Sequence, residues 1–247
     1  MPKHINKGRK KLIILLASIL LTVLIAVGAC VLYISDYYHA DTDAIAAFST
    51  EFEMKEDRRD GYIAFGDAGA DTGFVFYPGG KVEYTAYIPL MRAIAREGAF
   101  CVLVNMPANL AILDINSADK ILAEYSNISN WYIGGHSLGG TAAASYLSTH
   151  ADKLAGIVLL ASYPSSDISG VCRRALSIYG SLDGVLNREK YEKSREYLPQ
   201  DLTEIVIDGG NHASFGMYGE QQGDGTASLS PREQILLTAE YVTEFIK

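Results

Sequence analysis

Ser137 has the surroundings that read most clearly as chemistry. It stands at the centre of Gly135-His136-Ser137-Leu138-Gly139, a G-x-S-x-G sequence with Gly140 behind it. A short apolar run at 131–133 precedes the motif, and a stretch of helical character at 139–149 follows it. A serine on a sharp strand-to-helix turn is lifted clear of its sheet, and side chains at Gly135 and Gly139 would collide within that turn. The helix N-terminus beneath it favours negative charge developing on a substrate oxygen. A glycine-rich turn without chemistry is the alternative, and the strand–turn–helix context argues against it.

A serine hydroxyl is a poor nucleophile at neutral pH and needs a base. The five histidines sort by elimination. His4 precedes a long apolar segment and His39 follows it. His136 adjoins the serine, so its side chain is expected to diverge from the serine oxygen. His150 ends the helix that the serine opens. His212 remains, in Asp208-Gly209-Gly210-Asn211-His212 after the apolar run at 205–207. The base in turn needs an orienting carboxylate. Asp183 follows the apolar run at 175–179 and gives the order Ser137, Asp183, His212, the order in which acyl-transfer triads on strand–helix scaffolds occur. Asp167 and Asp208 compete for the role. An oxyanion hole is also required. Its first donor is expected to be the backbone N–H of Leu138. The second is expected from Tyr77-Pro78-Gly79-Gly80-Lys81, through the N–H of Gly80 or of Lys81, although Pro-Gly is equally a plain turn signal.

The elements that must position these groups follow from apolar patterning. Runs at 62–65, 74–77, 100–105, 131–133, 157–161, 175–179 and 204–207 have the length and β-branched or aromatic content of strands. Helix-like segments occupy 84–97, 117–125, 139–149, 189–197 and 231–246. Ser117 is a candidate N-cap, and Pro231 after Ser230 is placed for a first helical position. Alternation of this kind predicts an α/β fold, a mostly parallel sheet covered on both faces, with sites beyond the carboxyl ends of the strands. Residues 35–60 read as a linker with a helical turn at 44–48 and a first strand near 52–55, and 61–247 as the catalytic domain.

At the other end, residues 1–11 hold five of the 21 basic side chains and none of the 29 acidic ones. Residues 12–34 carry no charge. As a helix these 23 residues extend about 34 Å, enough to span a bilayer core. The cationic side stays cytoplasmic, so 1–11 reads as a cytoplasmic tail, 12–34 as a single transmembrane anchor in the cell membrane, and the domain as facing outward. A cleaved signal is the rival, and Val27-Gly28-Ala29-Cys30 resembles a bacterial lipobox. The apolar run continues past Cys30 and exceeds the usual signal core of about 7–15 residues. The chain carries a net charge of −8 even with the basic tail included. That excludes nucleic acid as an expected partner, because phosphate binding needs a basic surface. Cys30, Cys101 and Cys172 show no metal-ligand spacing and read as free, buried thiols.

The loop at 77–81, the elbow at 135–140 and Asn211-His212-Ala213-Ser214-Phe215-Gly216 together resemble the α/β-hydrolase family, over residues 60–247. Within it the chain is similar to the compact bacterial branch related to dienelactone hydrolases. Those enzymes have cysteine at the elbow where this chain has Ser137, so their lactone chemistry does not carry over. The resemblance implies an α/β-hydrolase fold and a serine hydrolase that uses neither metal nor organic cofactor. Its substrate is then a small-molecule carboxylic ester, or a thioester or amide, and transfer to an acceptor other than water is not separable from hydrolysis. A catalytically silent scaffold serving as an envelope binding or sensing module is the competing reading. Only residues 162–174 separate two strand runs where many lipases insert a lid, so the site is expected to be open. The polar loop at 214–230 is long for a structureless connection. It is expected either to be disordered or to fold beside the site, with Phe215 and Tyr218 shaping the substrate pocket.

Overall fold

The central strands form because their apolar runs are buried on both faces. In β3 (Thr72–Tyr77) Phe74 and Phe76 enter one core, while Val75 and Tyr77 enter the other. The same two-residue alternation divides β4 (Phe100–Val104) and β6 (Gly156–Leu160) between the two cores. Continuous apolar runs of this kind suit parallel strands sandwiched by helices.

The structure is a computed structural model that describes residues 7–247. The eight-stranded sheet has the order β1-β2-β4-β3-β5-β6-β7-β8. The remaining strands are β1 (Glu56–Arg59), β2 (Tyr62–Phe65), β5 (Asn130–His136), β7 (Ala175–Gly180) and β8 (Leu202–Ile207). The β1/β2 and β2/β4 pairs are antiparallel and the rest parallel. Helices α3 (Ile88–Arg96) and α7 (Pro231–Ile246) pack on one face. Helices α4 (Ser117–Glu124) and α5 (Leu138–His150) pack on the other. A short α6 (Arg188–Ser194) follows β7 and buries Tyr191. β3 lies between β4 and β5, so the connections leaving these strands diverge and open a crevice at their carboxyl ends.

Helix signals are mostly where the sequence places them. Ser230 caps α7 in a reciprocal capping box with Glu233, and Pro231 takes the first helical position. Ser117, however, lies inside α4. Asn116 is the N-cap, and the Ser117 hydroxyl turns back to the Asp114 carbonyl. The segment at 35–60 departs further from expectation. Helix α2 (Thr42–Glu51) is capped by Asp41 and buries Phe48, which stacks on Phe52 at 4.4 Å. With Phe52 held there, the first strand begins at Glu56 instead of near 52. It then turns through Asp60-Gly61, where Gly61 has φ 91°, into β2. The compact unit accordingly runs from Tyr38 to Lys247, so most of the expected linker belongs to it.

Helix α1 (Lys7–Ser35) is a unit of its own. Within Gly8–Ser35 an 18-residue window has a mean hydropathy of 2.9, and none of that window is buried in protein. It is long and apolar enough to cross a membrane, a description that a signal sequence also meets. Ser18 and Thr22 donate back to the carbonyls of Leu15 and Ser18, which satisfies their hydroxyls within the helix. Cys101 and Cys172 are buried free thiols, as expected, whereas Cys30 is exposed on α1.

Candidate active site

The end of β5 and the start of α5 form a strained turn at Ser137, with φ 51° and ψ −122°. A non-glycine residue held there costs about 1–3 kcal/mol. Hydrogen bonds on both sides hold the conformation. The Ser137 N–H donates to the Leu160 carbonyl at 2.9 Å, and the Ser137 carbonyl accepts from Gly140 N–H, Thr141 N–H and the Ser162 hydroxyl, the last at 2.6 Å. A β-carbon at Gly139 would run into the carbonyl oxygens of Tyr77 and Pro78, and one at Gly135 would come within 2.6 Å of the Gly140 nitrogen. The glycines are therefore a steric requirement of the turn. Gly139→Ala is expected to destabilise the protein by about 3 kcal/mol through overpacking against backbone that cannot yield. Thermal unfolding checks this, and an unchanged Tm would contradict it.

His212 and Asp183 reach each other from the loops after β8 and β7. His212 Nδ1 and Asp183 Oδ2 are 2.9 Å apart, with the side chains 1% and 0% exposed. The other carboxylate oxygen accepts from the N–H groups of Val185 and Leu186 at 2.9 and 2.8 Å. Burial pushes the Asp183 carboxyl up, but the His212 hydrogen bond and charge, with those two N–H groups, outweigh it and hold the carboxyl below its ordinary value. A carboxylate lowered in this way stabilises the fold above its unfolded pKa, and that stabilisation is lost as pH falls through the folded value. Lowering the pH through about 4 is therefore expected to reduce the Tm of the wild type more steeply than that of Asp183→Asn. Equal slopes would show that the pair has no such linkage.

His212 Nε2 is buried and makes no hydrogen bond among the described residues. A buried imidazole nitrogen without a partner is costly. His212 shares a cleft of about 230 Å³ with Ser137, and Leu138, Ser162, Tyr163, Val185 and Leu186 form much of its wall. A larger cleft of about 550 Å³ between α3 and α7 holds none of the residues of this constellation. The competing acids lie elsewhere. Asp167 accepts from the N–H and hydroxyl of Ser169, and Asp208 from the Ser181 hydroxyl. His136 does not face the cleft. It is buried with its ring centroid 4.5 Å from that of His212, and its Nδ1 hydrogen-bonds the Tyr87 hydroxyl at 2.8 Å. Burial first, and then the neighbouring His212, push its pKa well below the ordinary value, so it is neutral. His150 Nδ1 contacts the Tyr146 carbonyl near the end of α5.

Of the two candidates for the second oxyanion donor, the structure removes Lys81, whose N–H donates to the Asn109 carbonyl at 2.8 Å. The Gly80 N–H has no partner among the described residues, and a β-carbon on Gly80 would come within 2.7 Å of the Leu138 side chain. The Leu138 N–H, at the first position of α5, has no partner within the helix. Phe215 and Tyr218 do not line this cleft. Phe215 is fully buried against His136, with ring centroids 5.5 Å apart, and Tyr218 is 6% exposed beside Tyr87 and Tyr38. Their loop folds on the side of His212 away from the cleft. Its Asp224 carboxylate accepts from the N–H groups of His212, Ala213 and Gly184, while Gln234 of α7 bonds both ways with the Asn211 backbone. The sequence reading missed Asp224 and Gln234, along with the walls Ser162, Tyr163, Val185 and Leu186. Their place immediately after β6 and after Asp183 was the available signal.

Residues 73–236, more than half of the chain, match the sequence model of the Alpha/beta hydrolase family. Comparison with curated protein sequences found no match. Among solved structures the chain is similar to a dienelactone hydrolase from Anabaena variabilis, with TM-score 0.56 and 15% identity over 75% of this chain and 92% of that one. It is also similar to a bacterial membrane phospholipase A, with TM-score 0.58 and 13% identity over 91% and 96% of the two chains. A thermophilic esterase from Thermogutta terrifontis gives TM-score 0.56 and 12% identity over 74% and 91%. At these identities the structural likenesses speak for the fold alone; with the sequence match, they establish that this chain belongs to the α/β-hydrolase family.

Proposed function

We propose that the chain is a serine hydrolase that cleaves a carboxylic ester through an acyl-serine intermediate, held in the cell membrane by α1 with its catalytic unit outside the cytoplasm. The observation that carries the reading is the buried Asp183–His212 pair at 2.9 Å, whose unpartnered Nε2 belongs to the same cleft as Ser137. Ser137 Oγ attacks the carbonyl carbon while His212 Nε2 takes its proton. Asp183 fixes the tautomer through Nδ1 and stabilises the imidazolium. The N–H groups of Leu138 and Gly80 receive the oxyanion. His212 then protonates the departing alkoxide, and a water molecule, activated by the same imidazole, releases the acid. Two of the similar structures are an esterase and a phospholipase, which favours esters over thioesters and amides. The lysines and arginine at 3–11 before the apolar helix, and Asp36, Asp41 and Asp43 after it, support the outward orientation.

A graded series of p-nitrophenyl acyl esters tests the proposal. The full-length protein is expected to show saturable turnover of at least one member. A well-folded protein that turns over no ester, thioester or amide would sink it and leave the silent scaffold.

A further inference from the structure

Tyr38 ties the beginning of the catalytic unit to the loop that carries Gly80. Its N–H donates to the Lys81 carbonyl at 2.8 Å, and Glu83 N–H returns to the Tyr38 carbonyl at 2.9 Å, forming a parallel bridge between Tyr38 and Val82. Ala40 N–H adds a bond to the Glu83 carboxylate at 3.1 Å. Ser35 ends α1, so the chain passes from the apolar helix to this bridge in three residues, about 10 Å when fully extended.

A second strap leaves the same residue. The Lys81 N–H to Asn109 carbonyl bond fastens the loop after β4 to the oxyanion loop. That loop turns through the left-handed residues Ala108 and Asn109, buries Ala111, and then exposes Ile112 and Leu113 by 52% and 57%. Outside α1 these are the most exposed large apolar side chains among the described residues. Leu182, also exposed, follows β7 directly, at the carboxyl end of that strand. A contiguous exposed apolar patch is the usual mark of a surface that meets an apolar partner, and Ile112 and Leu113 form its start here. An anionic surface is a poor candidate, because the chain is acidic and Asp114 follows Leu113 directly. Hydrocarbon is the chemical complement of two exposed aliphatic side chains. The cleft of about 230 Å³ is too small to enclose a long acyl chain, so most of such a chain would lie outside it.

We infer that the Ile112-Leu113 turn inserts into the bilayer that holds α1, and that the site draws its ester from that bilayer: the substrate class is a lipid-soluble, long-chain acyl ester. The inference rests on the serine-hydrolase reading and on α1 remaining in the membrane.

The test uses full-length protein in nanodiscs of phosphatidylcholine, with two readouts. The first compares a fluorogenic long-chain ester dissolved in the bilayer with p-nitrophenyl acetate in water. The double variant Ile112→Ser, Leu113→Ser is expected to lose about 10-fold on the bilayer ester and to stay within about two-fold on the soluble one. An unchanged rate on the bilayer ester, or an equal fall on both, would overturn the proposal. The second readout needs no turnover. Leu113→Trp is placed in a Ser137→Ala background, where the one native tryptophan, Trp131, is buried. Brominated phosphatidylcholine is expected to quench the added emission strongly. Quenching no greater than that of Trp131 alone would overturn insertion even in an active enzyme. Strong quenching in a protein that cleaves neither ester would uphold the docking surface and refute the hydrolase reading.

Discussion

Ser137→Ala is expected to lower kcat for ester hydrolysis on the order of 10⁵–10⁶-fold, with KM little changed. The size follows from what the alanine removes. The acyl-serine route is lost outright, while the cleft and the two N–H donors persist, so substrate still binds and only a water-mediated residue of catalysis remains. The substitution also isolates chemistry from folding. Ser137 is held in its strained conformation by backbone bonds to Leu160, Gly140 and Thr141 and by the Ser162 hydroxyl on its carbonyl, none of which uses Oγ of Ser137. Circular dichroism and Tm should therefore be close to wild type. A loss of less than about 10-fold in steady-state turnover would place the nucleophile elsewhere.

Asp183→Asn is expected to cost about 10⁴-fold in kcat. An amide at this position can present N–H where the carboxylate presented an acceptor, which favours the wrong tautomer of His212 and leaves the imidazolium without its counter-charge. Two of the carboxylate's three hydrogen bonds come from the backbone N–H groups of Val185 and Leu186, and an amide oxygen can still accept these, so the loop should keep its course. Asp167→Asn is the control. Asp167 is exposed and bonded only within its own turn, and turnover should be unaffected. An inactive Asp167→Asn beside an active Asp183→Asn would transfer the role.

The turn at Ser137 and the Asp183–His212 pair were readable from residue order, because a sharp strand-to-helix turn imposes glycines at fixed positions and the two partners follow successive strands. Apolar runs marked seven of the eight strands, most of them buried on both faces; β8, at the sheet edge, is apolar only in part. The same patterning misplaced β1, which is charged: Glu56–Arg59 carries no apolar pattern, and the signal for it was Asp60-Gly61, a two-residue hairpin turn. Apolar residues in the His212 loop were misread for a different reason. Phe215 and Tyr218 looked like pocket walls because they follow His212, but sequence proximity does not say on which side of the imidazole a side chain lies. They fill the space behind it, around His136 and Tyr87. The choice between Gly80 and Lys81 was equally inaccessible, because a distant carbonyl, that of Asn109, occupies the Lys81 N–H. Asp224 went unnoticed since a carboxylate that satisfies backbone N–H groups across a long loop leaves no periodic trace.

The most direct measurement is fluorophosphonate labelling of the full-length protein, followed by peptide mapping, with Ser137→Ala in parallel. The account predicts one adduct, on the peptide that contains Ser137, and none in the variant. A folded wild-type protein that takes no label, or takes it on another serine, would contradict the assignment of Ser137 as an activated nucleophile.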